Sequence, residues 1–293
     1  MLEREATSRT MPARTRVRAL VAGRRRTLPA SQPPVCLRAL GGQDMPAGID
    51  VGGVRFRHVR TFKHDFFAAT GLYQGAGRQA IVKIGRRVGF LGLPLGWLGR
   101  RLSGHEAELL DRLAGQEGVP ELLGLCGGDT VVRGYIPGHA LRKGEQVGDE
   151  FFGRLWRIVA AMHHRGMAYV DLEKRQNVLV GDDGRPYLID FQIGWPWPVG
   201  PLADTALGGW LRRRLQQGDL YHLRKLQRRC RPDQMTPQDL AASYDRPWPV
   251  RLHRRLTKPF TTFRRWVLSR VDPKRGDAER GADQHDPSPQ TTG

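Results

Sequence analysis

Between Tyr169 and Gly194 the chain reads YVDLEKRQNVLVGDDGRPYLIDFQIG, which sets Asp171, Asn177 and Asp190 around a GDDG turn signal flanked by the strand-like runs NVLV and YLIDF. Two carboxylates and an amide offer hard oxygen ligands, which magnesium takes together with phosphate oxygens and water. Phosphoryl transfer asks little covalent chemistry of a protein. It needs the metal positioned, the phosphate charge neutralised and the attacking hydroxyl oriented. Asp182 and Asp183, followed by Gly184, read as turn chemistry rather than as ligands.

Elements must hold these side chains in place. From Val54 the short alternating runs VRFRHV, FFAATGLYQ and QAIVKIG, separated by glycine-containing turns, read as three antiparallel strands, and TVVRGYI at 130–136 as another, ended by Pro137 and Gly138. Ser103 to Leu113 reads as a helix, with Ser103 and Glu106 in a capping-box pattern, Leu109, Leu110 and Leu113 as its apolar stripe and Gly115 as its stop. Asp149 to Arg165 reads as an amphipathic helix carrying Phe152, Leu155, Trp156, Val159 and Met162 on one side, with Gly166 ending it. Trp210 to Gln216, Leu220 to Arg229 and a start at Thr236-Pro237 predict further helices. Strands precede helices, with a hairpin between them.

With 293 residues, 39% of them hydrophobic, the chain can build one two-lobed domain or two small ones. Cys36, Cys126 and Cys230 lie far apart without CxxC spacing, which argues against a disulfide framework and a zinc site and fits a reducing cytosol. No apolar run reaches the roughly 18 residues that span a bilayer, and no charged-then-apolar leader opens the chain, so a cytoplasmic protein, soluble or peripheral, is expected.

The net charge of +19 is unevenly spread. Residues 1–44 carry +6 without periodicity and are expected to be disordered, with Met45 a candidate start; residues 272–293 are polar and expected to be disordered too. Residues 209–275 carry +13, with Trp210, Tyr221, Trp248, Phe260, Phe263 and Trp266 interleaved among the cations. Such a stretch can contact an anionic membrane at about 1 kcal/mol per basic residue, or RNA, or simply cover a lobe and leave its arginine heads in water. The apolar, glycine-rich run VGFLGLPLGWLGRRL is expected to cap the small lobe, with a membrane contact as its rival.

In chain order these residues resemble the protein-kinase-like superfamily over about 45–230. AIVKIG supplies Lys83 where such kinases place a phosphate-binding strand lysine, and GHEAELLDRL supplies Glu106 as its helix partner. Tyr169-Val170-Asp171 resembles the His-Arg-Asp loop, Asn177 its asparagine, and Asp190-Phe191-Gln192 with Gly194 the Asp-Phe-Gly motif. TVVRGYIPG resembles the strand and hinge on which adenine docks. Taken singly, Lys83 reads as a solvated edge residue, Glu106 as a cap, and Asp171, Asn177 and Asp190 as loop residues bonding their own backbone. Their joint order favours the site.

The resemblance implies an α+β, bilobal fold with a small antiparallel-sheet N-lobe over 45–137 and a reduced, mainly helical C-lobe over 138–271, using ATP and Mg2+. It implies Asp171, Lys83 and Glu106 as catalytic residues, Lys83, Tyr135 and Gly71 as nucleotide contacts, and Asn177 and Asp190 as metal ligands. Four features depart from the pattern. KHDFFAATG stands in place of a GxGxxG loop and leaves Gly71 alone. Asn177 follows Asp171 by six residues, not five, and Gln176 takes the expected place. No Ala-Pro-Glu motif follows Gly194. Glu173 replaces a phosphate-binding lysine, with Lys174 beside it. A chain this lean resembles the lipopolysaccharide-core sugar kinases (Kdo and heptose kinases) and the RIO-type kinases, and GDLYHLRKLQRR is similar to a helix of the former. The implied activity is a Mg-ATP-dependent kinase acting on a hydroxyl of a glycolipid or other anionic acceptor at the inner face of the cytoplasmic membrane. The alternatives are a RIO-like protein serine/threonine kinase and a pseudokinase with a basic binding tail; nucleic acid ranks behind as a partner.

Overall fold

The alternating runs form a six-stranded antiparallel sheet in the order β1-β2-β3-β4-β6-β5. Its strands are β1 (Gly48–Val51), β2 (Val54–His64), β3 (Ala68–Gly75), β4 (Arg78–Gly85), β5 (Leu122–Cys126) and β6 (Thr130–Gly134). These coordinates come from a computed structural model that describes residues 33–194 and 205–245. Two-residue turns set the pairing. Gly52 and Gly53, both in the left-handed region, close β1 onto β2 in the manner of a type I′ hairpin.

Helix α1 (Gly96–Arg112) lies against β4, β5 and β6. It begins seven residues before the expected Ser103, because Ser103 does not cap it: the hydroxyl donates to the Asp129 carbonyl at 2.8 Å instead. The helix approaches β4 so closely that a Cβ on Gly99 would stand 2.1 Å from the Arg86 carbonyl oxygen. The apolar run before Ser103 thus supplies the first turns of α1.

The second lobe contains α2 (Phe151–His164), the three-stranded sheet β7 (Gly138–Ala140), β8 (Val178–Gly181) and β9 (Pro186–Leu188), α3 (Ala206–Cys230) and α4 (Pro237–Ala242). The predicted α2 stripe is buried, except Trp156, which is half-buried and donates its indole N–H to Gln227. The two helices expected over 210–229 form one, α3, capped by the Thr205 hydroxyl, which accepts from the Gly208 amide. Asp182 and Asp183 lie in the β8–β9 turn, as expected, and the Asp183 carboxylate accepts from the Arg185 amide and the Tyr187 hydroxyl.

Alternation along β6 divides the core. Val132 joins Phe56, Tyr73 and Val82 in the small lobe, while Val131 joins Leu109, Phe152, Tyr169, Phe191 and Leu223 in the larger one. The fold is α+β, an antiparallel-sheet lobe followed by a mainly helical one, the bilobal arrangement that the kinase resemblance implies.

Packed structure extends back beyond the expected boundary at Met45. Ala39 and Leu40 are buried, and the fully buried Arg86 donates to the carbonyls of Cys36, Arg38, Phe66, Val88 and Gly89. Local composition misses this because these partners of residues 36–40 lie 24 to 50 positions away. The expectations for residues 1–32, 246–271 and the tail lie outside the described residues. Among the described residues no helix is long and apolar enough to cross a membrane.

Candidate functional site

Strand register brings the first group of side chains together. Lys83 pairs with Thr70 on β3 and Val131 on β6, while Ile81 pairs with Arg133. Thr70, Ile81, Lys83 and Arg133 all face a cavity of about 730 Å³ whose opposite wall carries Asp171, Asn177, Leu179 and Asp190. Lys83 Nζ stands 2.7 Å from Asp190 Oδ1 and 2.8 Å from Glu106 Oε2. Glu106 is fully buried behind the lysine. Its Oε2 is held by charge, out of line for a well-formed hydrogen bond, and its Oε1 has no hydrogen-bond partner. Burial pulls the Lys83 ammonium down, but the two carboxylates outweigh it and hold its pKa above the ordinary 10.5.

Asp171 lies just after the buried stretch Met167–Tyr169 and beside the buried Leu172, and its Oδ2 accepts from Lys174 Nζ at 2.7 Å and Asn177 Nδ2 at 2.8 Å. The Asn177 amide nitrogen also reaches the Asp171 carbonyl at 3.3 Å, so its oxygen is the atom left for a metal. Gln176, at the spacing of the kinase pattern, is exposed at the cavity wall, and the amide that hydrogen-bonds the Asp171 carboxylate is that of Asn177. Burial raises the Asp171 carboxyl above 3.8 despite Lys174 and Asn177. For Asp190 the balance reverses: burial pushes upward, but the Lys83 charge and hydrogen bond prevail and hold it below 3.8.

Two residues of the site take left-handed backbone although neither is glycine: Val170, at φ 69°, and Asp190, at φ 66°. Such a conformation is uncommon, above all for a β-branched residue, and persists only where surroundings enforce it. Asp219, buried on α3, enforces it at Val170. Its two oxygens each accept a backbone amide at 2.7 Å, from Tyr169 and from Val170, and Oδ2 also meets His163 Nε2 at 3.0 Å. Sequence reading singled out the run GDLYHLRKLQRR but not this aspartate; the signal was an acid on an otherwise basic helix. Near Asp190, the Tyr169 hydroxyl donates to the Ile189 carbonyl and its ring meets Phe191 edge-on. His105, one residue before Glu106, lies 2.6 Å from the Gly194 carbonyl, so the Glu106 helix is joined to the segment that carries Asp190.

One expected nucleotide contact is not at the cavity. Gly71 faces the other side of the sheet, where a Cβ would meet Arg60, Met45 and Tyr73. Parity explains it: Thr70 shares the face of Lys83, so its neighbour cannot. Tyr135 does line the cavity. At the β2–β3 tip, where a glycine loop was absent from the sequence, the Asp65 carboxylate accepts the amides of Phe67 at 2.9 Å and Ala68 at 3.0 Å. The tip is thus closed on itself, with Phe67 at the cavity mouth.

No group of three His, Cys, Asp or Glu side chains among the described residues is arranged for a metal. One carboxylate, Asp190, and one amide, Asn177, remain on the same wall. That sparse oxygen set fits magnesium, which is commonly held by one or two protein ligands plus phosphate oxygens and water.

No family model matches the chain, and no curated protein matches it. Among solved structures, the Rio2 kinase from Chaetomium thermophilum is similar at 16% identity over 64% of this chain and 62% of that one, with a TM-score of 0.45. The matched part therefore spans under two thirds of that kinase's length. A likeness of this degree carries no argument about residues.

Proposed function

We propose that the chain is a magnesium-dependent nucleotide phosphotransferase that phosphorylates a hydroxyl. The observation that carries this reading is Lys83, drawn between Glu106 and Asp190 on one wall of a nucleotide-sized cavity, with the Asp171–Asn177 pair on the other. Lys83, backed by Glu106, steadies the phosphates. Asp190 and Asn177 would hold magnesium, which when bound neutralises phosphate charge. Asp171 orients the acceptor hydroxyl. As the acceptor oxygen bonds to the terminal phosphorus and the bond to the bridging oxygen breaks, its proton passes to Asp171, a role suited to a carboxyl raised by burial.

For the acceptor we favour an anionic amphiphile of the glycolipid type. Phe62, Phe67, Leu102 and Ile193 give the cavity wall an apolar side, and Arg60 and Lys63 lie beside them. A protein serine acceptor, as in RIO-like kinases, needs no such apolar side.

The test incubates the full chain with magnesium, terminally labelled ATP and GTP in parallel, and membrane-lipid or protein fractions, alongside Asp190→Ala and Asp171→Asn. Label entering the lipid fraction with wild type alone supports the reading; label in protein alone moves the acceptor to serine. No transfer to any fraction, with either nucleotide, would leave the chain a non-catalytic binding protein.

A further inference from the structure

Arg133 is a cation that neither the fold nor the proposed transfer employs. It extends from β6 into the cavity and is 8% exposed, yet among the described residues no hydrogen bond or ion pair reaches it, and its Nε is buried without a partner. Buried charges in proteins are ordinarily paired or hydrogen-bonded, because stripping them of water is costly. The groups near enough to feel its charge are Glu106, Asp190 and Tyr169; both carboxylates are turned to Lys83, and none forms an ion pair or hydrogen bond with Arg133, although Glu106 Oε1 is itself without a hydrogen-bond partner. Elsewhere this chain does satisfy a buried arginine: Arg86 directs its donors at five carbonyl oxygens. Arg133 therefore stands ready for a partner that the chain does not supply.

Its place in the cavity indicates which part of a nucleotide that is. Lys83, Asn177 and Asp190 mark the phosphate end. Arg133 pairs with Ile81, two residues from the Lys83 level and roughly 7 Å along the strand, toward the connection at Tyr135. Ile81, the strand partner of Arg133, and Leu179 from the other lobe line the same cavity, offering apolar surfaces to the faces of a planar ring. A guanidinium at the ring's edge is a donor-only fork, so it selects by acceptor pattern. Guanine presents O6 and N7 side by side, both acceptors, whereas adenine sets an amino donor beside N7.

We propose that Arg133 makes this a guanine-nucleotide subsite, donating to O6 and N7 of a 6-oxopurine, so that GTP rather than ATP is the favoured phosphoryl donor. The inference rests on the cavity being a nucleotide site. Titration calorimetry of the full chain with magnesium and GDP, ADP, or the non-hydrolysable GTP and ATP analogues tests it. Wild type is expected to bind the guanine member of each pair tighter by roughly tenfold or more, the discrimination of one bidentate contact. Arg133→Gln, whose amide matches N6 and N7 of adenine, should reverse the preference. Arg133→Lys, which keeps the charge without the planar fork, should bring the ratio near one.

Because each protein is judged by its own guanine-to-adenine ratio, a loss of stability common to both nucleotides cancels, and the wild-type ratio decides even where a variant does not fold. Equal or tighter adenine binding by wild type overturns the inference and leaves the nucleotide reading standing. A ratio unmoved in a folded Arg133→Gln overturns it as well. Binding of neither nucleotide overturns the nucleotide reading, and the inference falls with it.

Discussion

Asp171 and Asp190 share one cavity, and their surroundings push them in opposite directions. With its folded pKa raised above 3.8, Asp171 holds its proton more tightly in the native state than in the unfolded one, so its contribution to stability falls as pH rises above that value. Asp171→Asn should therefore raise the melting temperature at pH 7 while abolishing transfer. Lys174→Ala removes a charge that lowers the Asp171 pKa, and should move the acidic limb of the kcat profile to higher pH; a limb that stays put would show that Asp171 is not the titrating group. Asp190 runs the other way: its stabilisation is present above 3.8 and is lost as pH falls through its depressed value. The same pairing sets the cost of losing Lys83. Lys83→Met takes from the fully buried Glu106 the one cation at ion-pair distance among the described residues and should cost about 3–5 kcal/mol in urea unfolding, with part recovered by adding Glu106→Gln. Lys83, Glu106, Asp171, Asn177 and Asp190 were legible in the sequence because their types fall in a recognisable order. Gly71 and Arg133 were not, since which face a strand residue takes depends on pairing that sequence alone does not display.

At the scale of elements, the site depends on contacts between segments far apart in the chain. Asp219 lies 49 and 50 residues from the amides it holds, beyond the reach of any local pattern, and it keeps Val170 in a left-handed backbone. Asp219→Ala leaves the buried Tyr169 amide and the partly buried Val170 amide without acceptors and should destabilise the chain by about 3 kcal/mol. If the loop is what Asp219 positions, kcat should fall well beyond any rise in KM, a split that a purely structural aspartate would not produce. Capping signals proved less informative than packing. Ser103 and Glu106 have capping-box spacing, yet Ser103 donates to the Asp129 carbonyl, and α1 starts back at Gly96 and packs closely against the chain at Gly99. Similarly, separate helices are expected over Trp210 to Gln216 and Leu220 to Arg229, but α3 runs through the gap between them, because Tyr221, Leu223 and Leu226 beyond it are buried in the second lobe.

Across the whole molecule, Arg86 joins what the sequence separates: residues 36–38, the β2–β3 tip at Phe66 and the chain at Val88 and Gly89. Its guanidinium also lies over the Phe66 ring at 4.0 Å. The hairpin tip at the cavity mouth is thus held from behind by a segment that composition alone assigns to a disordered leader. The anchoring continues through the buried Ala39 and Leu40, with the Leu40 amide donating to His64 at 3.1 Å and the Ala39 carbonyl accepting from Arg87 at 2.9 Å. A chain beginning at Met45 loses the Leu40 side chain from the small-lobe core and two of the carbonyls around Arg86. Relative to a chain beginning at Pro33, it should unfold with about 3 kcal/mol less stability, ~6–12 °C lower in calorimetry. Leu40→Ala in the longer chain separates the two causes, since it empties the core position and leaves the Arg86 carbonyls in place. If the segment acts through Arg86 on the hairpin tip, the Met45 start should weaken nucleotide binding and Leu40→Ala should lower stability alone; equal loss of binding in both would assign the effect to the small-lobe core.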